Sequence, residues 1–258
     1  MGKNMRALLT FLIIALCTPD AWAQRLKLGY SDVENFPYQM GNGQAPATPP
    51  GLAVELIREA ARDIGLEVQF VRMPAVRLLV ATQTGEIDGS FIFSYKEERL
   101  AQAVYPMKDG KPDRSRRITT INYSFYKKAG SPVHWDGKTL SHNSEPVGVN
   151  SSFSISDDLK KMGIVVDDSG KSTAQNLGKL RLGRISAYAT LEDSADAFLA
   201  RQTGNDVVKL TPPITSRDYY LVVSRKFHDS GDHAQRLWTR IAELRDKRTP
   251  ALLQNYSD

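Results

Sequence analysis

The sequence is almost without cysteine. Cys17 is the only one, so from there onward a disulfide framework, a thiolate metal site and a cysteine nucleophile are excluded. Long apolar runs are missing too. The run at residues 7–16 is too short to cross about 30 Å of hydrocarbon as an anchor, and no later stretch is long and apolar enough to span a membrane. Histidine is scarce: His134, His142, His228 and His233 lie scattered in polar contexts. The last two are five residues apart, which is not a reliable metal-ligand spacing. Asp157-Asp158 and Asp167-Asp168 lack the surrounding pattern of a calcium loop. No Gly-x-Ser-x-Gly elbow, phosphate-binding loop or dinucleotide fingerprint occurs. The expectation is a protein with no metal, no cofactor and no catalytic residue. Nor is there a strong excess of charge, with 34 basic against 29 acidic residues. The basic residues are dispersed apart from Arg114, Arg116 and Arg117, which read as a solvated loop. No nucleic-acid partner is expected.

What is present begins with an export signal. Lys3 and Arg6 precede the apolar run, and Ala21-Trp22-Ala23 offers small residues where a signal peptidase cuts, leaving Gln24 as the mature N-terminus. Leu16 is not the small residue that a lipoprotein would need before Cys17. Cleavage removes two basic residues and one acidic one, taking the formal charge from +5 to +4. The expected location is the periplasm, reached by cleavage of residues 1–23.

The remainder reads as alternating strands and helices. A strand at 26–29 is followed by a helix from Leu52, whose Ala53, Leu56, Ile57, Ala60, Ala61 and Ile64 recur at helical spacing up to Gly65. A strand at 68–71, a helix from Pro74 to Gly85 burying Val76, Leu79 and Val80, and a strand at 87–93 complete one parallel unit. The order recurs with a strand at 147–150, a helix at 154–162, a strand at 164–166, a helix at 174–181, a strand at 185–190, a helix at 195–201 and a strand at 207–210. Residues 118–127 and 219–224 are extended and placed to connect the units. Ala234, Leu237, Trp238, Ile241 and Leu244 then mark an amphipathic helix. Two α/β lobes follow: residues 24–122 with 221–258, and residues 123–220. Two antiparallel connecting strands would permit bending while resisting twist.

These residues resemble the family 3 extracellular solute-binding proteins, the periplasmic amino-acid-binding proteins of bacterial ABC importers. The resemblance runs over roughly residues 26–256. It rests on Leu26-Lys27-Leu28-Gly29 with Phe36-Pro37-Tyr38, on Gly51-Leu52-Ala53-Val54-Glu55-Leu56, and on Gly85-Glu86-Ile87-Asp88-Gly89. It continues through Ser94-Tyr95-Lys96-Glu97-Glu98-Arg99, Tyr105-Pro106, Val147-Gly148-Val149 and Gly183-Arg184-Ile185. It implies a type II periplasmic-binding-protein fold, a ligand in the cleft between the lobes, and delivery to a permease in the inner membrane by a monomeric protein.

In parallel α/β sheets ligands gather beyond the carboxyl ends of the strands, where helix starts carry unpaired N–H groups. Arg99 follows the 87–93 strand closely enough to turn into such a cleft, and its planar fork suits a carboxylate. By the resemblance it holds the ligand's α-carboxylate; otherwise it is a surface arginine paired with Glu97 or Glu98. Ser94 offers a hydroxyl to the ligand or forms a capping box with Glu97. Ser152 and Ser154 occupy places where the resemblance puts small hydroxyl residues against the same carboxylate, although bare N-caps need no ligand. Phe36, Tyr38 and Tyr30 either wall the ligand or pack on their own lobe. Arg77 faces the cleft or solvent. The aspartate that pairs with the ligand's α-ammonium in such proteins falls on Leu191, with Glu192 and Asp193 adjacent; either a one-residue shift brings Glu192 in as its replacement, or the ligand is a different carboxylate.

The function expected is capture of a small carboxylate, a polar amino acid foremost, by lobe closure for an ABC importer. Two alternatives stand beside it. One is an enzyme of the same fold, similar to the cyclohexadienyl dehydratases, with Glu192 as acid and Arg99 and Arg77 as grips. The other is a sensing module that presents its ligand to a membrane receptor.

Overall fold

The computed structural model describes residues 25–256 apart from residues 203 and 205. The expected signal segment and Cys17 lie outside them. The first elements are β1 (Arg25–Ser31), α1 (Leu52–Asp63), β2 (Glu67–Met73), α2 (Ala75–Thr84), β3 (Gly89–Ser94) and β4 (Thr119–Lys128). Then come β5 (Val147–Asn150), α3 (Ile155–Lys161), β6 (Val166–Gly170), α4 (Thr173–Arg181), β7 (Ala187–Leu191) and α5 (Glu192–Ala200). The chain finishes with β8 (Val207–Lys209), β9 (Thr215–Val223), α6 (Arg225–His228) and α7 (His233–Leu253).

These nine strands join one sheet in the order β6-β5-β7-β4-β9-β3-β1-β2, with β8 paired to β4, and two short two-stranded hairpins stand apart from it. At one end β1 pairs in parallel with β2 and β3, and at the other β5 pairs in parallel with β6 and β7. Between them β4 and β9 run antiparallel to their neighbours. Each pairs with one parallel group and with the other crossing strand. The last residues of β9, Tyr219–Val223 in register, pair with β3, and its first residues pair with β4. The far part of β4 pairs with β7 and β8. A ladder this continuous leaves only these two strands crossing between the groups.

Apolar spacing explains the packing. The face of α1 formed by Leu52, Ala53, Leu56, Ile57, Ala60 and Ala61 is buried, and it packs on α7, which buries Ala234, Leu237, Trp238, Ile241 and Leu244. The Trp238 Nε1–H donates to the Leu221 carbonyl at 2.8 Å, tying α7 to β9. Fully burying side chains of this size stabilises by about 1.5–3 kcal/mol each, which is why α7 is fixed to the β1–β3 end of the sheet.

Three local expectations are corrected. In α2 the inward residues are Leu78, Ala81 and Thr82, while Val76 and Val80 are 59% and 50% exposed. Two apolar stripes lie side by side on this helix. The one chosen lets the Thr82 hydroxyl bond to the Leu78 carbonyl and to Ser90 Oγ, so a polar group is buried without loss. The strand expected at 164–166 starts only at Val166, because the Ile164 N–H is already spent on the Leu159 carbonyl at the end of α3. Finally, β9 begins at Thr215, hidden in the sequence by the polar Ser216-Arg217-Asp218. The arginine cluster is also less free than a solvated loop: Arg114 and Arg117 both reach Asp218, and Arg116 reaches Asp113.

One irregularity shapes the middle of the molecule. Opposite Tyr220 and Leu221, β3 carries a bulge: Phe93 pairs with Tyr220, Phe91 with Leu221, and Ile92 is left over at φ +61°. A β-branched residue there is strained. The extra residue shifts the pleat. Phe91 therefore joins the main core and Phe93 a second one around Tyr105 and Tyr220.

Candidate functional site

A cavity of about 80 Å³ lies where the carboxyl ends of the two parallel groups face each other. That is several times the ~10–15 Å³ one water needs on the same measure. Ser31 at the end of β1 and Phe91, Ile92, Phe93 and Ser94 at the end of β3 form one wall. Consecutive strand residues can share a cavity in this way because of the bulge at Ile92. The opposite wall is the Ser152-Phe153-Ser154 turn after β5 and Leu191 at the end of β7. The crossing strands supply the floor, with Tyr123 and Tyr219 joined by a 3.0 Å hydroxyl–hydroxyl bond.

Arg99 enters from a short 3₁₀ turn, Glu97–Ala101, after β3. Its Nη1 donates to the Ser94 carbonyl at 2.7 Å and to Ser94 Oγ at 3.2 Å, and its guanidinium lies 5.5 Å from the centre of the Phe93 ring. No carboxylate among the described residues stands within ion-pairing distance of it. Neither Glu97 nor Glu98 is its partner. The capping box is not formed either, since Lys96 precedes the turn and no side chain caps it. Ser94 instead donates its hydroxyl across the cavity to Ser154 Oγ at 3.1 Å. Ser154 makes no capping bond to α3, which frees its oxygen for this contact. Ser152 adopts φ +67° at the tip of the turn.

Arg99, Ser94, Ser152 and Ser154 are thus brought to one cavity, and the other residues expected at the site are placed elsewhere. Tyr30 is buried in the core against Phe70 and Phe91, under the Arg72 guanidinium. Phe36 stacks on Arg201. Tyr38 is buried and donates its hydroxyl to Asp193 at 3.2 Å. Burial, reinforced by Asp193, pushes that phenol up to about 12, and burial also holds the Asp193 carboxyl above its ordinary range. Arg77 is exposed on α2. Glu192 turns from the cavity to Lys209, 2.5 Å away, while its neighbour Leu191 faces the cavity. The physical reason is the step from β7 into α5: one residue later the side chain belongs to a helix face beside β8. A dehydratase-like set of Glu192, Arg99 and Arg77 is therefore not assembled.

Residues the sequence reading passed over also line it, among them Glu34, Asn35, Gln39, Tyr123, Phe153 and Tyr219. The aromatic alternation of the crossing strands was a signal, but which of their faces meets the cavity is decided only by the fold. Several bonds close the two groups over the cavity. Ser194 donates to Asn35 Oδ1 at 2.7 Å, Arg201 to Glu34 at 3.0 Å, and Lys96 pairs with Asp157. Chemically, the cavity offers an unpaired guanidinium and hydroxyls at one side and apolar walls at the other. It can hold a small anion with an apolar body.

Neither a protein-family model nor a curated protein matches the sequence. Solved structures do match in shape. The GluR0 ligand-binding core from Nostoc punctiforme in complex with L-glutamate is similar with a TM-score of 0.70 at 14% identity, over 90% of this chain and 99% of that one. A histidine kinase sensor domain similar to periplasmic binding proteins gives 0.71 at 17%, over 91% and 97%. A putative binding component of an ABC transporter from Wolinella succinogenes, complexed with lysine, gives 0.68 at 15%, over 91% and 96%. The fold is that of the type II periplasmic-binding proteins.

Proposed function

We propose that this is an exported solute-binding protein of the amino-acid-binding type, which captures a small carboxylate between two lobes and presents it to an ABC permease in the inner membrane. In this reading residues 24–122 and 221–258 form one lobe and residues 123–220 the other, with β4 and β9 as the hinge. The reading rests on one observation above others: a cavity at the junction whose only basic lining residue, Arg99, has no carboxylate partner among the described residues. A buried or half-buried cation without a counter-charge is costly, and an anionic ligand removes that cost.

The mechanism follows from the geometry. In the open state the ligand's carboxylate meets Arg99 and Ser94 on the first lobe. The Ser152–Ser154 turn then swings over it, and Ser154 meets Ser94. The contacts that close the lobes are neutral hydrogen bonds such as Ser94–Ser154, which contribute only about 0.5–1.5 kcal/mol each, and partly exposed ion pairs such as Lys96–Asp157, which contribute about 0–1 kcal/mol. Closure is therefore balanced finely enough for a ligand to decide it.

Titration calorimetry over a panel of amino and organic acids, paired with small-angle scattering, tests the proposal. Saturable heat from at least one carboxylate, accompanied by a smaller radius of gyration, is the expected result. Absence of heat from every member would overturn it. Lys96→Ala offers a separate check on closure. The Lys96 ammonium holds the Asp157 carboxyl below its ordinary range, but Asp157 is largely exposed. Removing the pair should weaken ligand affinity about two- to fivefold at low salt, and the difference should vanish in about 0.5 M sodium chloride.

A further inference from the structure

We infer that the preferred ligand is a small carboxylate that carries no ammonium group beside its carboxylate, with an apolar body. The inference rests on the proposed carboxylate-binding role of this same cavity and narrows it.

An ammonium drawn into the cavity would need acceptors, above all a free carboxylate. Glu34 is the one acidic residue in the lining. Its Oε2 already accepts the Gly41 N–H at 2.9 Å, its Oε1 accepts from Arg201 at 3.0 Å, and the guanidinium balances its charge. Several neutral acceptors around it are engaged as well. Ser31 Oγ accepts the Val33 N–H, Asn35 Oδ1 accepts the Ser194 hydroxyl, and the Phe91 carbonyl accepts from Gln39. The Ser94 carbonyl accepts from both Arg99 and Tyr105. The donors point the other way, since the free capacity of the Arg99 guanidinium asks for an anion. Leu191, Leu78, Ile92 and Phe153 then form apolar walls on which a hydrocarbon body is favoured and a charged one is not. A second positive charge would also stand close to Arg99 in a low-dielectric space. Glu192 and Asp193 do not relieve this, being held by Lys209 and Tyr38.

The test uses matched pairs of acids that differ only in the amino group: butanoate against L-2-aminobutanoate, and 3-methylbutanoate against L-valine. Calorimetry on the unliganded full-length mature protein should show the desamino member of each pair binding at least about tenfold more tightly, the penalty of leaving a buried polar group unpaired. Equal or tighter binding of the amino acids would overturn the inference while leaving the carboxylate-binding proposal standing. Silence from both members, in a protein that also ignores the wider panel, would overturn both. Leu191→Asp supplies an independent arm, because a carboxylate on that wall should shift the preference toward the amino acids by about tenfold. Should that variant not fold, as judged by its circular dichroism, Glu34→Gln serves instead. It leaves the desamino preference intact if the inference holds. If it instead abolishes an amino-acid preference, Glu34 is the ammonium partner and the inference fails.

Discussion

Replacing Arg99 with alanine is expected to lower affinity for the proposed carboxylate ligand by at least about a hundredfold, with little change in melting temperature. Hydrogen bonds to charged groups contribute about 1.5–3 kcal/mol each, and a bidentate pair makes two of them. The fold loses much less. The Ser94 carbonyl that Arg99 serves is also bonded by the Tyr105 hydroxyl at 2.9 Å, so it is not orphaned. Arg99→Lys keeps the charge but not the planar fork, and should recover only part of the affinity. Calorimetry and thermal melts on the three proteins separate these effects. Binding by the alanine variant within threefold of the parent would show that the guanidinium does not hold the ligand.

A second large effect is expected just outside the cavity lining, at Gly51. This residue sits at φ +116° and ψ 143°, a conformation that essentially only glycine adopts. A methyl group there would stand 2.4 Å from the Tyr38 carbonyl oxygen and 2.8 Å from the Gln39 Cα. These are backbone atoms with no rotamer to change. Gly51 also donates its N–H to the Tyr256 hydroxyl at 3.0 Å, and the next two N–H groups go to the Pro37 and Tyr38 carbonyls. The start of α1 is therefore sewn to the loop that carries Asn35 and Gln39 to the cavity. Gly51→Ala should cost on the order of 3–4 kcal/mol, or roughly a 6–16 °C fall in melting temperature for a chain of this size. The ligand should also bind more weakly, because Asn35 and Gln39 move with the loop. A melting temperature within about 2 °C of the parent would show that the loop can yield.

Both effects bear on what the residues alone could reveal. Gly51-Leu52 was readable as the start of a helix, and the apolar spacing of α1 and α7 marked their buried faces correctly. Such helices bear one broad apolar stripe, so the spacing has one solution. In α2 two stripes compete, and the choice of Leu78 over Val76 came from the needs of Thr82 and Ser90, which meet only in the fold. Strand β9 was half visible for a related reason: Arg217 and Asp218 make its first part look like a loop, whereas β4 and the ion pairs beside it hold it extended. At the cavity, Arg99, Ser94, Ser152 and Ser154 were legible because they follow strand ends, where topology leaves little freedom. Tyr30, Phe36, Tyr38 and Arg77 were not placeable, since each lies in a segment with two faces available. Glu192 shows how fine the margin is, because one residue separates the last strand position from the first helical one and redirects the side chain to Lys209. Tyr123 and Tyr219 escaped notice because the aromatic alternation of the crossing strands does not say which of their faces meets the cavity.

The route of the chain through the sheet has a consequence for biosynthesis. Strand β3 finds its antiparallel neighbour only in β9, and α1 its covering helix only in α7, both from the last fifth of the protein. While a ribosome is still making the middle of the chain, the earliest segments have hydrophobic faces and nothing to place on them. That part of the molecule completes its packing only when translation is almost finished, a delay that would suit the export proposed above, since a chain not yet set can still be threaded through a narrow channel.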